Sequence, residues 1–247
     1  MPPARAGPRS GNTRRHAQFG ARGRPARGAA RSRVHVRRVK RGTLLAFEGL
    51  DGSGKSTQVE RLARDLSAAG HAVVATHEPT DGPSGRRIRE MARSGRSLEP
   101  EEELRWFVED RRAHVRDEIG PALSAGRVVV TDRYFLSSVA YQGARGLDWR
   151  AILAASEAEF PIPDLVLLLE IDVARGLERV RARGAHLEGV FEREELLLRV
   201  ATIFRAVERP WVERIPAAGS EREVHAAVVA RVRSRLGLGL ASTSGSE

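Results

Sequence analysis

The chain has 247 residues, enough for one α/β domain with a full core, and its lack of cysteine excludes disulfides, thiol catalysis and cysteine-based zinc sites and fits a reducing cytoplasm. The net charge of +10 suggests a nucleic-acid binder, but residues 1–41 hold 13 of the 42 Lys and Arg and no acid, leaving 29 basic against 32 acidic side chains in the rest. The basic excess therefore belongs to the first 41 residues, and no apolar run approaches the roughly 20 residues of a membrane span.

Residues 1–41 are mostly Arg, Gly, Ala and Pro. They hold too few large apolar groups to offset the entropy of ordering and are expected to be disordered. Three readings stay open for them: an extension without function or an upstream start codon, a polyanion-binding arm, or an organelle transit peptide. The folded domain is expected over 42–236, with 237–247 as a frayed Gly/Ser-rich tail.

Residues 43–47 form a short apolar run of strand length, followed by Gly49-Leu50-Asp51-Gly52-Ser53-Gly54-Lys55-Ser56. This is Gly, four residues, Gly, Lys, Ser, the pattern of a phosphate-binding loop. Glycines let successive backbone N–H groups face one anion. Lys55 supplies a positive charge, Ser56 a hydroxyl for Mg²⁺, and a helix starting near Gly54 its positive end. Val59, Leu62, Ala63 and Leu66 then lie on one helical face, with Gly70 as the stop.

Residues 72–76 read as a buried strand, 84–94 as a helix crowded with Arg86, Arg87, Arg89 and Arg93, and 100–118 as a helix carrying Leu104, Phe107, Val108 and Arg111. A short helix runs to about 124. Residues 128–131 are a β-branched run, so a central strand, and Asp132-Arg133-Tyr134 sits at its carboxyl end, where open parallel sheets bind ligands. A helix through Ser137, Ser138, Tyr141 and Gln142 follows, then a turn over 143–146 and a helix to about 159. Residues 165–171 are a buried strand, 173–183 an arginine-rich helix, 192–212 a long helix, 214–217 a short strand and 221–236 a final amphipathic helix. Strands alternating with helices predict a parallel sheet with helices on both faces, a P-loop NTPase fold with a small helical lid.

A phosphate loop alone does not say what is done with the nucleotide. The stretches FEGLDGSGKSTQ, HEPTDGP, Phe107 with Arg111, PAL at 121–123, DRYxxSxxAYQG from Asp132 to Gly143 and PDLVLLLEID together resemble the bacterial thymidylate kinases over about 43–236. The resemblance implies transfer of the γ-phosphate of ATP to dTMP with Mg²⁺, in a homodimer. It implies ATP binding by Gly49, Leu50, Asp51, Gly52, Ser53, Gly54, Lys55, Ser56 and Thr57. It implies that Phe107 stacks on thymine, Arg111 donates to a ring carbonyl, Arg133 binds the acceptor phosphate, Ser138 and Gln142 border the base, and Tyr141 excludes a 2′-hydroxyl. Asp51 would serve the acceptor's 3′-hydroxyl, and Glu192 would take the place of the family's lid acid.

For several of these residues a plainer reading stays open. Phe107 alone suggests core packing, Arg133 a surface ion pair, Tyr141 helix packing and Asp51 a solvated turn; Asp132 serves equally as a metal-water ligand or a helix cap. The loop carries no arginine, so a catalytic arginine is expected from the lid, at Arg179 or Arg183, unless these are a solvated helix face. Relatives often have Arg-Glu-Pro where this chain has His77-Glu78-Pro79, and Asp-Arg-Phe-Glu near residues 188–192. Another nucleoside or nucleotide kinase of the same fold is the alternative. A GTP-dependent switch would need Asn-Lys-x-Asp, which the chain lacks.

Overall fold

A computed structural model describes residues 41–95, 97–182 and 190–240, the last with the side chains of 190–193 excepted. The apolar runs become five parallel strands: β1 Thr43–Gly49, β2 Val73–His77, β3 Val128–Asp132, β4 Leu165–Glu170 and β5 Val212–Pro216, in the order β2-β3-β1-β4-β5. Side chains alternate across a sheet. Leu44 and Ala46 of β1 thus join Val166 and Leu168 of β4 on one face, while Leu45 and Phe47 join Leu165, Leu167 and Leu169 on the other. The second face is closed by α1 (Lys55–Ala68) and α9 (Glu221–Leu236), through Leu62, Leu66, Val228 and Val232. The first is closed by α5 (Phe135–Ala144), α6 (Trp149–Glu159) and α8 (Val190–Ala206), through Phe135, Val139, Leu153 and Val200. A parallel sheet buried on both faces is what the alternation of elements predicted.

Some details differ from expectation. β2 is half-exposed, not buried, because it lies at the sheet edge. The helix expected over 100–118 is α3 (Pro100–His114), followed by a π-helical turn (Val115–Ile119) and α4 (Gly120–Ser124). Pro121 lacks an N–H and crowds the preceding turn, which a wider turn accommodates. α5 runs on through Gly143, where a Cβ would lie 2.7 Å from Trp149 Cβ; the residue is a packing contact, not the start of a turn. The helix expected to reach 212 ends at Ala206, ahead of Pro210, and β5 begins at Val212. Residues 237–240, expected to open a frayed tail, pack instead: Leu240 is buried, its carbonyl accepts from Arg233, and Gly239 O pairs with His71. α2 (Pro83–Arg93) and α7 (Val173–Ala182) complete the described helices.

Candidate functional site

The chain passes from β1 to α1 through the loop 49–54, at the carboxyl edge of the sheet. Gly52 has φ 82°, and a Cβ there would lie 2.3 Å from Gly176 O of α7, so neither the dihedral nor the space admits a side chain. Leu50 turns into the core. Lys55, the first residue of α1, is buried and donates to Gly49 O (3.1 Å) and Leu50 O (2.8 Å). Burial, and then Arg133, lower its pKa to about 8, against Asp51, Asp132 and Glu48. Ser53 Oγ is buried without a hydrogen-bond partner among the described residues.

Ser56 Oγ donates to Asp132 Oδ2 across from the end of β3, while Asp132 Oδ1 is buried and has no hydrogen-bond partner among the described residues. A hydroxyl oxygen beside an unsatisfied carboxylate oxygen is a hard-oxygen donor set. Among the described residues no group of three His, Asp or Glu is placed to hold a metal by itself.

Arg133 directly follows β3 with φ 70°, a left-handed conformation uncommon for a residue with a side chain. Its N–H donates to Phe47 O (2.9 Å), and its carbonyl accepts from Thr131 Oγ1 (2.8 Å). The side chain is thereby aimed back over the loop, where it donates to Asp51 Oδ1 (2.6 Å) and to Ser137 Oγ (2.9 Å) and lies 5.4 Å from the Tyr141 ring centre. Burial disfavours its charge, but Tyr141, Asp51, Glu48 and Asp132 outweigh that and raise its pKa.

From this cluster a cavity of about 700 Å³ opens. Its lining includes Phe107, Arg133, Ser138, Tyr141 and Gln142 and reaches in sequence from Asp51 to Leu197. Phe107 is half-buried, belongs to neither core cluster and faces the cavity, contrary to the core-packing alternative. Gln142 Oε1 is buried without a hydrogen-bond partner among the described residues. The Tyr141 hydroxyl is pushed up to about 12, chiefly by burial.

Arg111 is not a surface donor. It is 1% exposed, donates from Nε to Glu78 Oε2 (2.9 Å) and from one terminal nitrogen to Ser138 Oγ (3.1 Å), and its other terminal nitrogen has no hydrogen-bond partner among the described residues. Burial alone would raise the Glu78 carboxyl; the Arg111 charge and His114 outweigh it and hold it below the usual range. His77 ends β2 as an exposed residue.

α7 carries Arg179 against the outside of the loop. Its guanidinium donates to Gly52 O (3.3 Å), Ala217 O (3.2 Å) and Gly219 O (3.4 Å), beside a cleft of about 150 Å³ that Ser53, Gly54 and Thr57 also line. Arg181 is exposed. Arg183 lies outside the described residues, as does the side chain of Glu192.

Four site features were not singled out from the sequence. Glu48 is fully buried beside Arg133 and Lys55; an acid ending an apolar strand directly before Gly49 was the available signal. Glu78 holds Arg111. Of the crowded arginines 86–93, Arg89 is the one that lines the cavity, tied to Pro79 O (2.7 Å) and Asp81 Oδ1 (2.8 Å). Glu103, bonded to Arg145 and accepting from Gln142 Nε2 at 3.2 Å, closes the far wall; no sequence signal marks it.

The family model described as thymidylate kinase matches residues 47–228. The thymidylate kinase of Desulfotalea psychrophila is 42% identical over 195 residues, covering 79% of this chain and 96% of that protein. Those of Akkermansia muciniphila and Xanthomonas campestris pv. campestris are each 44% identical, over 81% and 82% of this chain and 93% and 89% of their own.

Proposed function

Since the chain belongs to the thymidylate kinase family, we propose that the 700 Å³ cavity receives dTMP and that the loop ending β1 receives the phosphates of ATP. The protein is a nucleoside monophosphate kinase that transfers the γ-phosphoryl group of ATP to dTMP, forming dTDP. The observation that carries the division of sites is the 2.6 Å pair between Arg133 and Asp51. It joins the mouth of the cavity to the phosphate loop, so an acceptor phosphate at Arg133 would meet a donor phosphate over Lys55.

Phe107 offers the cavity a half-exposed ring for the thymine face. Arg111 is buried behind Ser138, outside the cavity lining, and its unsatisfied nitrogen would have to be uncovered by the entering base to donate to a ring carbonyl. Ser138 and Gln142 border the base, and the Tyr141 ring lies along the sugar, where it leaves no room for a 2′-hydroxyl. Arg133 presents a planar fork to phosphate oxygens. Asp51 faces the same space and serves the 3′-hydroxyl. Phosphoryl transfer demands charge neutralisation more than covalent chemistry. The Lys55 ammonium, desolvated and held by two carbonyls, is poised to gain anionic partners when ATP enters. Arg179 or Arg183 adds the lid's positive charge, and Glu192 its acid. Ser56 and Asp132 are the residues that would hold Mg²⁺, and the buried unsatisfied Asp132 Oδ1 fits that role. Bound there, Mg²⁺ supplies charge neutralisation at the phosphate oxygens.

The family resemblance further supports a homodimer in the cytoplasm; no helix among the described residues is long and apolar enough to cross a membrane. Residues 1–41 are expected to be dispensable for catalysis. ADP release measured with dTMP, dUMP, dCMP and dGMP tests the acceptor. Turnover should be fastest with dTMP, and equal or faster turnover with dCMP or dGMP would overturn the reading.

A further inference from the structure

Glu48 is a fully buried carboxylate that touches neither the phosphate loop's N–H groups nor the cavity. Both of its oxygens are spent on the start of α5. Oε1 accepts from Tyr134 N (2.9 Å) and Ser137 N (3.1 Å), and Oε2 accepts from Ser137 Oγ (2.6 Å). α5 has no side-chain cap of its own, so an acid from β1 does the work of an N-cap across 86 residues of sequence. Ser137 Oγ, its proton committed to Glu48, offers its lone pairs to Arg133, which donates to it at 2.9 Å. The left-handed Arg133 has no local preference for its conformation, so its direction must be imposed from outside.

We infer that Glu48 is a positioning residue for the acceptor phosphate, acting through Ser137 to hold the Arg133 guanidinium in place between loop and cavity. The inference rests on the proposed role of Arg133 as the acceptor-phosphate ligand. A structural carboxylate that only capped α5 would need no hydroxyl relay to Arg133. Burial raises the Glu48 carboxyl to about 7, against Ser137, Arg133 and the two backbone N–H groups; Lys55, Asp132, Asp51 and Tyr141 also surround Arg133. A neutral amide at 48 is therefore a mild change for the fold, and it removes the partner that fixes the Ser137 proton.

The test compares binding of dTMP with binding of thymidine, which lacks the phosphate, at about pH 8, where the Glu48 carboxylate predominates. In the wild-type full-length chain dTMP should bind far more tightly than thymidine. Arg133→Ala should collapse that preference; if it does not, the role of Arg133 fails. Glu48→Gln should cut the preference by about ten- to a hundred-fold, the range for a hydrogen bond to a charged group, and leave thymidine binding near wild type. Ser137→Ala, which keeps the acid and breaks only the relay, should move the preference in the same direction and stands in if Glu48→Gln does not fold. In an Arg133→Ala background neither change should matter further. If Arg133→Ala collapses the preference but Glu48→Gln and Ser137→Ala weaken dTMP and thymidine equally, or not at all, Glu48 is a cap and nothing more.

Discussion

The donor side and the acceptor side of this enzyme are built by different means. The proposed donor side is made of backbone: the loop 49–54, whose carbonyls hold Lys55 and whose close approach to α7 requires Gly52. The proposed acceptor side is made of side chains from distant elements: Phe107 from α3, Arg133 after β3, Tyr141 and Gln142 from α5, with Arg111 of α3 buried behind Ser138. The donor side depends on local conformation, and Gly52 admits no side chain. The acceptor side depends on packing, so each side chain carries a separable part of specificity.

The largest effect that would sharpen this contrast is at the lid. Alanine at Arg179 and at Arg183 in turn should reveal one position whose loss lowers kcat by about 10³–10⁵, the usual worth of an arginine at a transferred phosphoryl group. KM for dTMP should barely move, because the interaction is made mainly in the transition state. Near-normal kcat in both variants would place the charge elsewhere.

Lys55→Ala should lower turnover by about 10²–10³-fold or more in a protein that keeps its thermal midpoint. In the free wild-type enzyme, productive ATP binding should decline as pH rises through about 8, where Lys55 loses its proton. Between that value and the ordinary lysine range the unfolded chain binds the extra proton, so stability should rise with pH in the same window as activity falls. Lys55→Met should flatten that rise; an unchanged slope would contradict the lowered value.

On the acceptor side the balance reverses. Glu78→Ala leaves Arg111 buried and unpaired, and should destabilise by about 3–5 kcal/mol in denaturant unfolding. KM for dTMP should rise while KM for ATP stays. A loss below about 0.5 kcal/mol, ordinary for a surface change, would show the pair to be solvated. The smallest effect is expected at Tyr141. Its replacement by Ala should narrow the discrimination between dUMP and UMP by about ten-fold, a magnitude typical of steric selection by a pocket wall. Unchanged discrimination would remove the ring from the sugar site.

The two sides also differ in how well they could be read in advance. Residues 43–70 were legible as strand, loop and helix because every constraint on them is local: apolar run, glycines, helical stripe. Asp132 and Arg133 were legible because they end a β-branched run. Arg111 stands out only through the family resemblance, and its burial against Glu78 is not legible, because nothing local distinguishes a buried arginine from an exposed one. The role of Glu48 is set by partners 86 and 89 residues away, which no local pattern reaches. The long helix ends at Ala206, short of the expected 212, because Pro210 cannot continue it.

The sequence by itself determined the doubly covered parallel sheet, the phosphate loop and the family, since periodicity and motif spacing are properties of neighbouring residues. Only the tertiary structure decided that β2 is an edge, that Leu240 closes the core, that Phe107 faces a cavity rather than the interior, and that Glu48 holds the helix behind Arg133. These depend on which elements end up side by side, and that is set by burial and hydrogen-bond satisfaction over the whole chain rather than by any stretch of it.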